Sequence, residues 1–502
     1  MSPADPIRRI VVVGGGTAGW LTAGVLAARF PNRGPDGVSV TLIESRLQPP
    51  IGVGEGTWPT IRSTLKQIGV SETDFLRECD ASFKQGSKFV GWVNGTDAYY
   101  HPFTLPADYI ERNLAPYWLE GPRSASFADS LCFQTRLCDH SLAPKQITTP
   151  EFAGLANYAY HLDAGKFVPF LQKHCTEKLG VTHVLDEIVE VVSHDGFIEQ
   201  LRTKTGSPLP GDLFIDCSGF AALLIGKHFG VPFVSCKDTL FIDKALAVQV
   251  PYQTADAPIA SVTVSTAQSA GWIWDIGLTT RRGVGYVYSS AYATEESAAR
   301  ELRAYIGADV SYRAININSG YRREFWVGNC VAVGLSAGFL EPLEASAIVM
   351  IELSAKSIAE LLPGRRSGLA QAARIFNETF QHRWRRIVEF LKLHYTLSRR
   401  TEPFWVDNRQ GVPIPDYWRQ HSPWHEDFSA REEVFSAASF QYVLYGMGFQ
   451  PEPTPWLLNE ADRNRARDKM TETARHGESL RAVLPTNRDL LGRISKYGLQ
   501  KI

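Results

Sequence analysis

The sequence contains no run of 18 or more apolar residues, so no segment is long enough to cross a bilayer as a helix. It opens MSPADPIRRI and passes straight into an apolar strand pattern, without the hydrophobic stretch of a secretory signal. Cytoplasmic residence is the expectation. An excess of one charge sign is also missing: 52 basic and 53 acidic side chains leave a net charge of −1. That balance gives no electrostatic basis for binding nucleic acid or an anionic membrane surface. The cysteines (Cys79, Cys132, Cys138, Cys175, Cys217, Cys236 and Cys330) are odd in number and scattered, and no two form a Cys-x-x-Cys pair. This argues against a zinc cage or a disulfide framework and predicts reduced thiols. No metal-ligand spacing is found, so no metal site is expected.

What is present begins at the N-terminus. Ile10 to Val13 form a β-branched run that stops at Gly14, a helical pattern follows from Ala18 to Ala28, and a second strand runs from Val38 to Ile43 and closes on Glu44. This is a β-α-β unit of the length used for one mononucleotide half. Further helices are predicted from Ala164 to Leu179, from Ala345 to Leu362 with Pro363-Gly364 ending it, and from Leu369 to about Leu393. Strands are predicted at Val184 to Val192, Gly196 to Arg202, Asp212 to Asp216, Ala245 to Val250, Ser261 to Thr266 and Gly283 to Tyr288. A chain of 502 residues exceeds one ordinary core. The predicted fold is α/β: a Rossmann-like FAD-binding module with mixed sheets over residues 1–345, then a mostly helical, aromatic-rich C-terminal cap over residues 346–502. Residues 91–150 read as an irregular excursion, and the two modules are expected to form one compact unit.

Gly14-Gly15-Gly16-Thr17-Ala18-Gly19 is a G-x-G-x-x-G placed between a strand and a helix. In that position Gly14 permits the tight turn, Gly16 lets the backbone approach a pyrophosphate, and Gly19 allows close helix–strand packing. Thr17 and Ala18 begin the helix whose free N–H groups face the phosphates. Glu44 ends the second strand, where an acid can accept hydrogen bonds from a ribose. Only one such fingerprint exists. The later segment Asp212 to Gly219 reads as a strand bringing an acid and a glycine turn to the same region. FAD is therefore the expected dinucleotide, with NAD as the alternative.

Several strings together resemble the flavin-dependent tryptophan halogenase family. They are Gly14 to Trp20, then Ile51 to Thr60 (IGVGEGTWPT, with Gly56 where Ala is common), and Ser82-Phe83-Lys84 followed by Lys88-Phe89 and Trp92. Gly271-Trp272-Ile273-Trp274-Asp275-Ile276 is similar to the family's W-x-W-x-I-P signature, with Gly277 in place of Pro. Asn329 to Gly334, leading into Phe339-Leu340-Glu341-Pro342-Leu343-Glu344, resembles the strap that joins the flavin and substrate sites. After Glu344 the chain reads Ala345-Ser346-Ala347, where tryptophan-specific members typically have Ser-Thr-Gly.

The resemblance implies an FAD-dependent halogenase. Reduced FAD from a separate, transiently bound flavin reductase would react with dioxygen and a bromide or chloride ion, giving an electrophile that the protein confines and aims at an aromatic substrate. Lys84 is the residue implied to steer the oxidised halogen, with Lys88 as its decoy. Glu344 is the implied carboxylate that accepts the ring proton, with Glu341 as its competitor. The halide is placed at the backbone N–H groups of Ser346 and Ala347, and Gly334 on the flavin side. His101, Phe103, Trp272 and Trp274 are the expected substrate-pocket residues, with Trp424, Phe440, Tyr442 and Tyr445 as further aromatics from the cap. No counterpart is found for the stretch that binds the amino-acid moiety of tryptophan, so indole or another electron-rich arene is the expected substrate. A flavin-dependent aromatic monooxygenase is the alternative.

Overall fold

Short, continuously apolar strands buried on both faces are what a parallel sheet requires, and Arg9–Val13 becomes the centre of one. In the computed structural model, which describes residues 5–31, 34, 37–45, 54–410, 433–451 and 458–501, this strand pairs in parallel with Ser39–Glu44 on one side and Leu213–Asp216 on the other. Thr182–Leu185 and Cys330–Ala332 extend the sheet outward in parallel, and Trp326–Val327 closes one edge antiparallel. Val13, Glu44, Asp216 and Ala332 therefore end at one edge, where open α/β sheets bind ligands.

A second sheet of seven strands runs in the order Arg313–Asn316, Lys244–Pro251, Arg281–Tyr288, Gly271–Gly277, Thr263–Gln268, Gly86–Val90, Ala98–Pro102. Its one parallel step joins Thr263–Gln268 to Gly86–Val90. Between the large sheets lies a small one, in which Ala159–Asp163 pairs antiparallel with both Gly54–Gly56 and Ser82–Lys84. The stretch expected to be irregular is partly regular. Ala98–Pro102 hairpins onto Gly86–Val90, and Ala115–Glu120, Phe127–Leu131 and Gln134–Asp139 form short helices. The single strand expected at 184–192 is two, Thr182–Leu185 and Ile188–His194, each in a different sheet.

The C-terminal part is helical as predicted. Ser346–Leu361 lies against the fingerprint helix Thr17–Arg29. The main hydrophobic cluster includes residues from Ile7 to Leu499, and three smaller clusters accompany it among the described residues. The long helix Leu369–Thr396 buries Phe376, Phe380, Trp384, Ile387 and Phe390, spaced every third or fourth residue along one face. Its last turns deliver His394 and Tyr395 to the interior. Among the described residues no helix is long and apolar enough to cross a membrane.

Candidate active site

At the sheet edge the fingerprint glycines act as the spacing predicts. Gly14 sits at φ +112°, and a Cβ there would lie 2.2 Å from the carbonyl oxygen of Cys217. A Cβ on Gly19 would lie 1.8 Å from the carbonyl oxygen of Gly14, so strand and helix touch there. Gly16 is different: a Cβ would meet nothing within 4 Å. It borders open space at the start of helix Thr17–Arg29, whose N-cap supplies no side-chain bond, leaving the first N–H groups free to face phosphate. Glu44 lies across this loop, close enough that a side chain on Gly15 would overlap it, and its Oε1 is 2.8 Å from Nε2 of His183. Gly334, at φ +72°, brings the strap's origin to Ala18: a Cβ on Gly334 would be 2.6 Å from that of Ala18. Gly14, Gly16, Thr17, Ala18, Gly19, Glu44 and Gly334 thus lie around one loop at the sheet edge, with open space at Gly16.

Asp216 reaches the same edge but turns inward. Its Oδ1 accepts from the N–H and hydroxyl of Ser218, and its Oδ2 from the N–H groups of Leu224 and Ile225. It shapes the 218–225 turn, and its oxygens are already occupied. Gly334-Leu335-Ser336-Ala337-Gly338 has nucleophile-elbow spacing, yet the Ser336 hydroxyl is buried and bonded to the carbonyls of Asp216 and Val333. It serves the fold.

The second cluster forms where the small sheet, the seven-stranded sheet and the strap meet. Lys84 ends strand Ser82–Lys84 with only 1% of its surface exposed. A Cβ on Gly56 would lie 3.0 Å from Lys84 Nζ, 3.3 Å from the Cβ of Ala345 and 3.5 Å from the hydroxyl of Thr263. Lys84 Nζ stands 5.4 Å above the ring of Phe103. Burial lowers its pKa to about 8, and the negative charge of Glu344 limits the fall. His161, beneath it, bonds the Thr263 hydroxyl at 2.9 Å, and burial with the charge of Lys84 pushes its pKa well down. Lys88, by contrast, is a partly exposed cation paired with Asp139 at 3.2 Å.

Glu344 is buried with φ +63°, followed by Ala345 at φ +54°. Its Oε1 lies 2.6 Å from Nδ1 of His101 and 3.4 Å from Nε2 of His394, and its Oε2 accepts from the Ser87 hydroxyl at 3.3 Å. The His394 contact is too poorly aligned to be a hydrogen bond. Burial alone would raise the carboxyl's pKa. The charge and hydrogen bond of His101, then the nearby His394 ring, outweigh it and hold Glu344 well below the usual carboxylate range. Ser346 and Ala347 open the next helix, and the N-cap, Ala345, offers no side-chain oxygen.

Trp272 and Trp274 share one face of strand Gly271–Gly277, but the structure does not bring Trp272 to the Lys84–Glu344 pair. Trp272 is 1% exposed, tilted against Trp92 at 6.0 Å, and its Nε1 donates to the Tyr395 hydroxyl at 3.1 Å. Trp274 lies over Gly285, whose Cβ it would displace. The Trp272 ring is enclosed by other aromatics. Glu341 is the acid behind it. The Tyr395 hydroxyl donates to Glu341, and burial, opposed by that bond and by the charge of Lys392, raises its pKa to about 7. Glu341 supports the strap from inside. Among the cap aromatics, Tyr442 lies 6.1 Å from the His101 ring, and Phe440 packs at 4.8 Å on Phe390, itself 6.0 Å from His101. Tyr445 packs on Phe127, and Trp424 lies outside the described residues. His394, Ser87 and Trp58, whose Nε1 donates to the Glu344 carbonyl, were not anticipated.

The site thus holds a buried lysine of lowered pKa near a buried, ionised glutamate, on a strap that begins at the fingerprint helix. A family model described as tryptophan halogenase covers residues 9–463. The chain belongs to the tryptophan halogenase family. This halogenase is similar to the crystal structure of the tryptophan halogenase from Shewanella frigidimarina, at 46% identity and a TM-score of 0.95 over 99% of both chains. It is 32% identical to tryptophan 6-halogenase ThaL of Streptomyces albogriseolus over 97% of this chain and 98% of that one. BrvH, a flavin-dependent halogenase from Brevundimonas sp. BAL3, superposes with a TM-score of 0.85 at 33% identity, over 97% and 99% of the two chains. The enzyme is thus a flavin-dependent halogenase with an α/β fold.

Proposed function

We propose that this halogenase transfers bromine or chlorine to an electron-rich arene of the indole type, with Lys84 guiding the electrophile and Glu344 taking up the displaced proton. The observation that carries this reading is the pairing of Lys84 and Glu344. They come from segments 260 residues apart in sequence and meet in a buried site. Bound reduced flavin would supply the two electrons that activate dioxygen, which is the oxidant that makes halide electrophilic. Gly14, Gly16, Thr17, Ala18, Gly19, Glu44 and Gly334 would hold the FAD, and the Ser346 and Ala347 N–H groups would hold the halide at a helix start.

Lys84 then presents the oxidised halogen from an ammonium, or from an amine made accessible by its lowered pKa. The arene π electrons form the carbon–halogen bond as the halogen's bond to oxygen, or to the Lys84 nitrogen, breaks and leaves its electron pair on that atom; the ring then loses its proton to a Glu344 oxygen, which restores aromaticity. Glu344 is suited to this because His101 and His394 keep it ionised and oriented. Phe103, 5.4 Å from Lys84 Nζ, and Tyr442, beside His101, offer ring faces for a planar substrate. The single fingerprint belongs to FAD, so reducing equivalents come from a separate flavin reductase in transient contact. Reduced, unpaired thiols agree with a cytoplasmic setting.

The test is product mass spectrometry with an indole panel, NADH, a flavin reductase, and bromide or chloride. Monohalogenated product is expected only with reductase present, and bromide, the easier halide to oxidise, is expected to serve at least as well as chloride. An oxygenated product formed without halide would place the enzyme among the monooxygenases instead.

A further inference from the structure

Trp58 has no part in the roles given above, yet it touches the residue that carries the proton acceptor. Its indole Nε1 donates to the backbone carbonyl of Glu344 at 2.7 Å. That carbonyl belongs to the peptide between Glu344, at φ +63°, and Ala345, at φ +54°. Two successive side-chain-bearing residues in the left-handed region are disfavoured and persist only when their surroundings hold them. Two bonds do so here: Ala345 N–H donates to the Pro342 carbonyl at 3.0 Å, and Trp58 clamps the peptide from the other side.

The clamp stands on a rigid base. The N–H and hydroxyl of Thr57 both donate to the Tyr160 carbonyl, at 2.9 and 2.8 Å, and the Tyr160 N–H donates back to the Thr57 hydroxyl at 2.9 Å. Tyr160 lies on the strand whose Ala159 pairs with Lys84. The far edge of the indole rests on Phe435, with ring centroids 4.7 Å apart. Two residues before Trp58, Gly56 leaves its vacant side-chain position against Lys84 Nζ and Ala345. Segment 56–58 therefore touches both members of the pair.

We infer that Trp58 is a positioning residue for halogen transfer: its N–H fixes the Glu344–Ala345 peptide, and so sets the Glu344 carboxylate against Lys84. This rests on reading Lys84 and Glu344 as the catalytic pair. Trp58→Phe keeps a ring against Phe435 and removes the donor, leaving a part-buried carbonyl unpaired. An ordinary hydrogen bond corresponds to about a tenfold effect.

The experiment is single-turnover bromination of indole by the full-length FAD-loaded enzyme. It reads halogenated product per reduced flavin oxidised, with hypobromous acid that escapes trapped by a halogen-accepting dye. For Trp58→Phe, product per flavin is expected to fall about tenfold and trapped oxidant to rise to match, while FAD affinity, melting temperature and the arene KM stay near wild type. A loss that merely follows weakened FAD binding or a lowered melting temperature would overturn the inference, because it would show a structural role. So would product per flavin within twofold of wild type. If Trp58→Phe does not fold, 3-benzothienylalanine at position 58 matches the indole's shape without the N–H, and the same outcomes decide. Lys84→Ala run alongside separates the two ideas. Wild-type coupling in Trp58→Phe beside an inactive Lys84→Ala refutes only the role of Trp58, whereas an active Lys84→Ala refutes the catalytic pair.

Discussion

Nδ1 of His101 lies 2.6 Å from Oε1 of Glu344, with both side chains buried. An ionised carboxylate can only accept, so the ring N–H donates. The bond reaches from strand Ala98–Pro102 to the strap and is the first reason Glu344 stays ionised against its burial. In His101→Phe that support is gone and burial reasserts itself. The Glu344 pKa is expected to rise, and the acid limb of halogen transfer to move up in pH accordingly. Glu344 has a depressed folded pKa, so its stabilising contribution is present above the unfolded value and lost as pH falls through the folded one. The variant should therefore also lose stability at neutral pH and show less of its remaining stability vanish in acid. Single-turnover pH profiles and melts of both proteins test this; an unmoved acid limb would contradict it.

The fingerprint glycines separate folding from binding. Gly16 borders open space, so Gly16→Val is expected to fold with a near-normal melting temperature and to lose FAD binding, since its side chain enters the pyrophosphate's place. Gly14→Ala is the opposite case. Its φ of +112° and the Cys217 carbonyl 2.2 Å away make any Cβ destabilising in the apoprotein. Melting curves without FAD, followed by flavin titration, distinguish the two. Normal FAD affinity in Gly16→Val would misplace the cradle.

Much of this was legible in the chain because the physics is local. Gly14, Gly16 and Gly19 have their roles set by the strand–turn–helix that contains them, and Glu44 by the end of its own strand. Trp272 and Trp274 share a face because side chains alternate along a strand. What covers Trp272, namely Trp92 and Tyr395, comes from segments far away, so its enclosure could not be read locally. His394 was hidden for the same reason: on helix Leu369–Thr396 it follows Phe390 by four and looks like one more core position. Asp216 does end its strand at the same edge, but that its oxygens cap the following turn depends on the N–H groups of Leu224 and Ile225, which the strand pattern does not reveal. Residues 91–150 looked irregular because Ala98–Pro102 owes its strand form to pairing with Gly86–Val90.

Lys84 should cost stability for the sake of function. Burial lowers its pKa from 10.5 to about 8, so the unfolded chain binds more protons between those values, and wild-type stability rises with pH across that window. Lys84→Met is expected to be more stable than wild type at pH 7, by at most about 3 kcal/mol, with the gain shrinking as pH climbs from 8 toward 10.5. Denaturant titrations at pH 7 and pH 10 check the sign. A variant less stable at pH 7 would mean that the ammonium is held by more than burial and the Glu344 charge.

Glu344→Gln keeps size and hydrogen bonding and removes the proton acceptor, so its transfer rate should drop by ~10²–10⁴-fold. Glu341→Gln should act instead through the strap, since Glu341 meets Tyr395 and not Lys84. The most direct measurement of the account is halogenated arene formed per reduced flavin oxidised by Lys84→Ala in a single turnover. The expected result is FAD binding and flavin oxidation as in wild type with no halogenated arene, because the group that presents the electrophile is gone. Halogenated product at the wild-type yield and the wild-type ring position would contradict it.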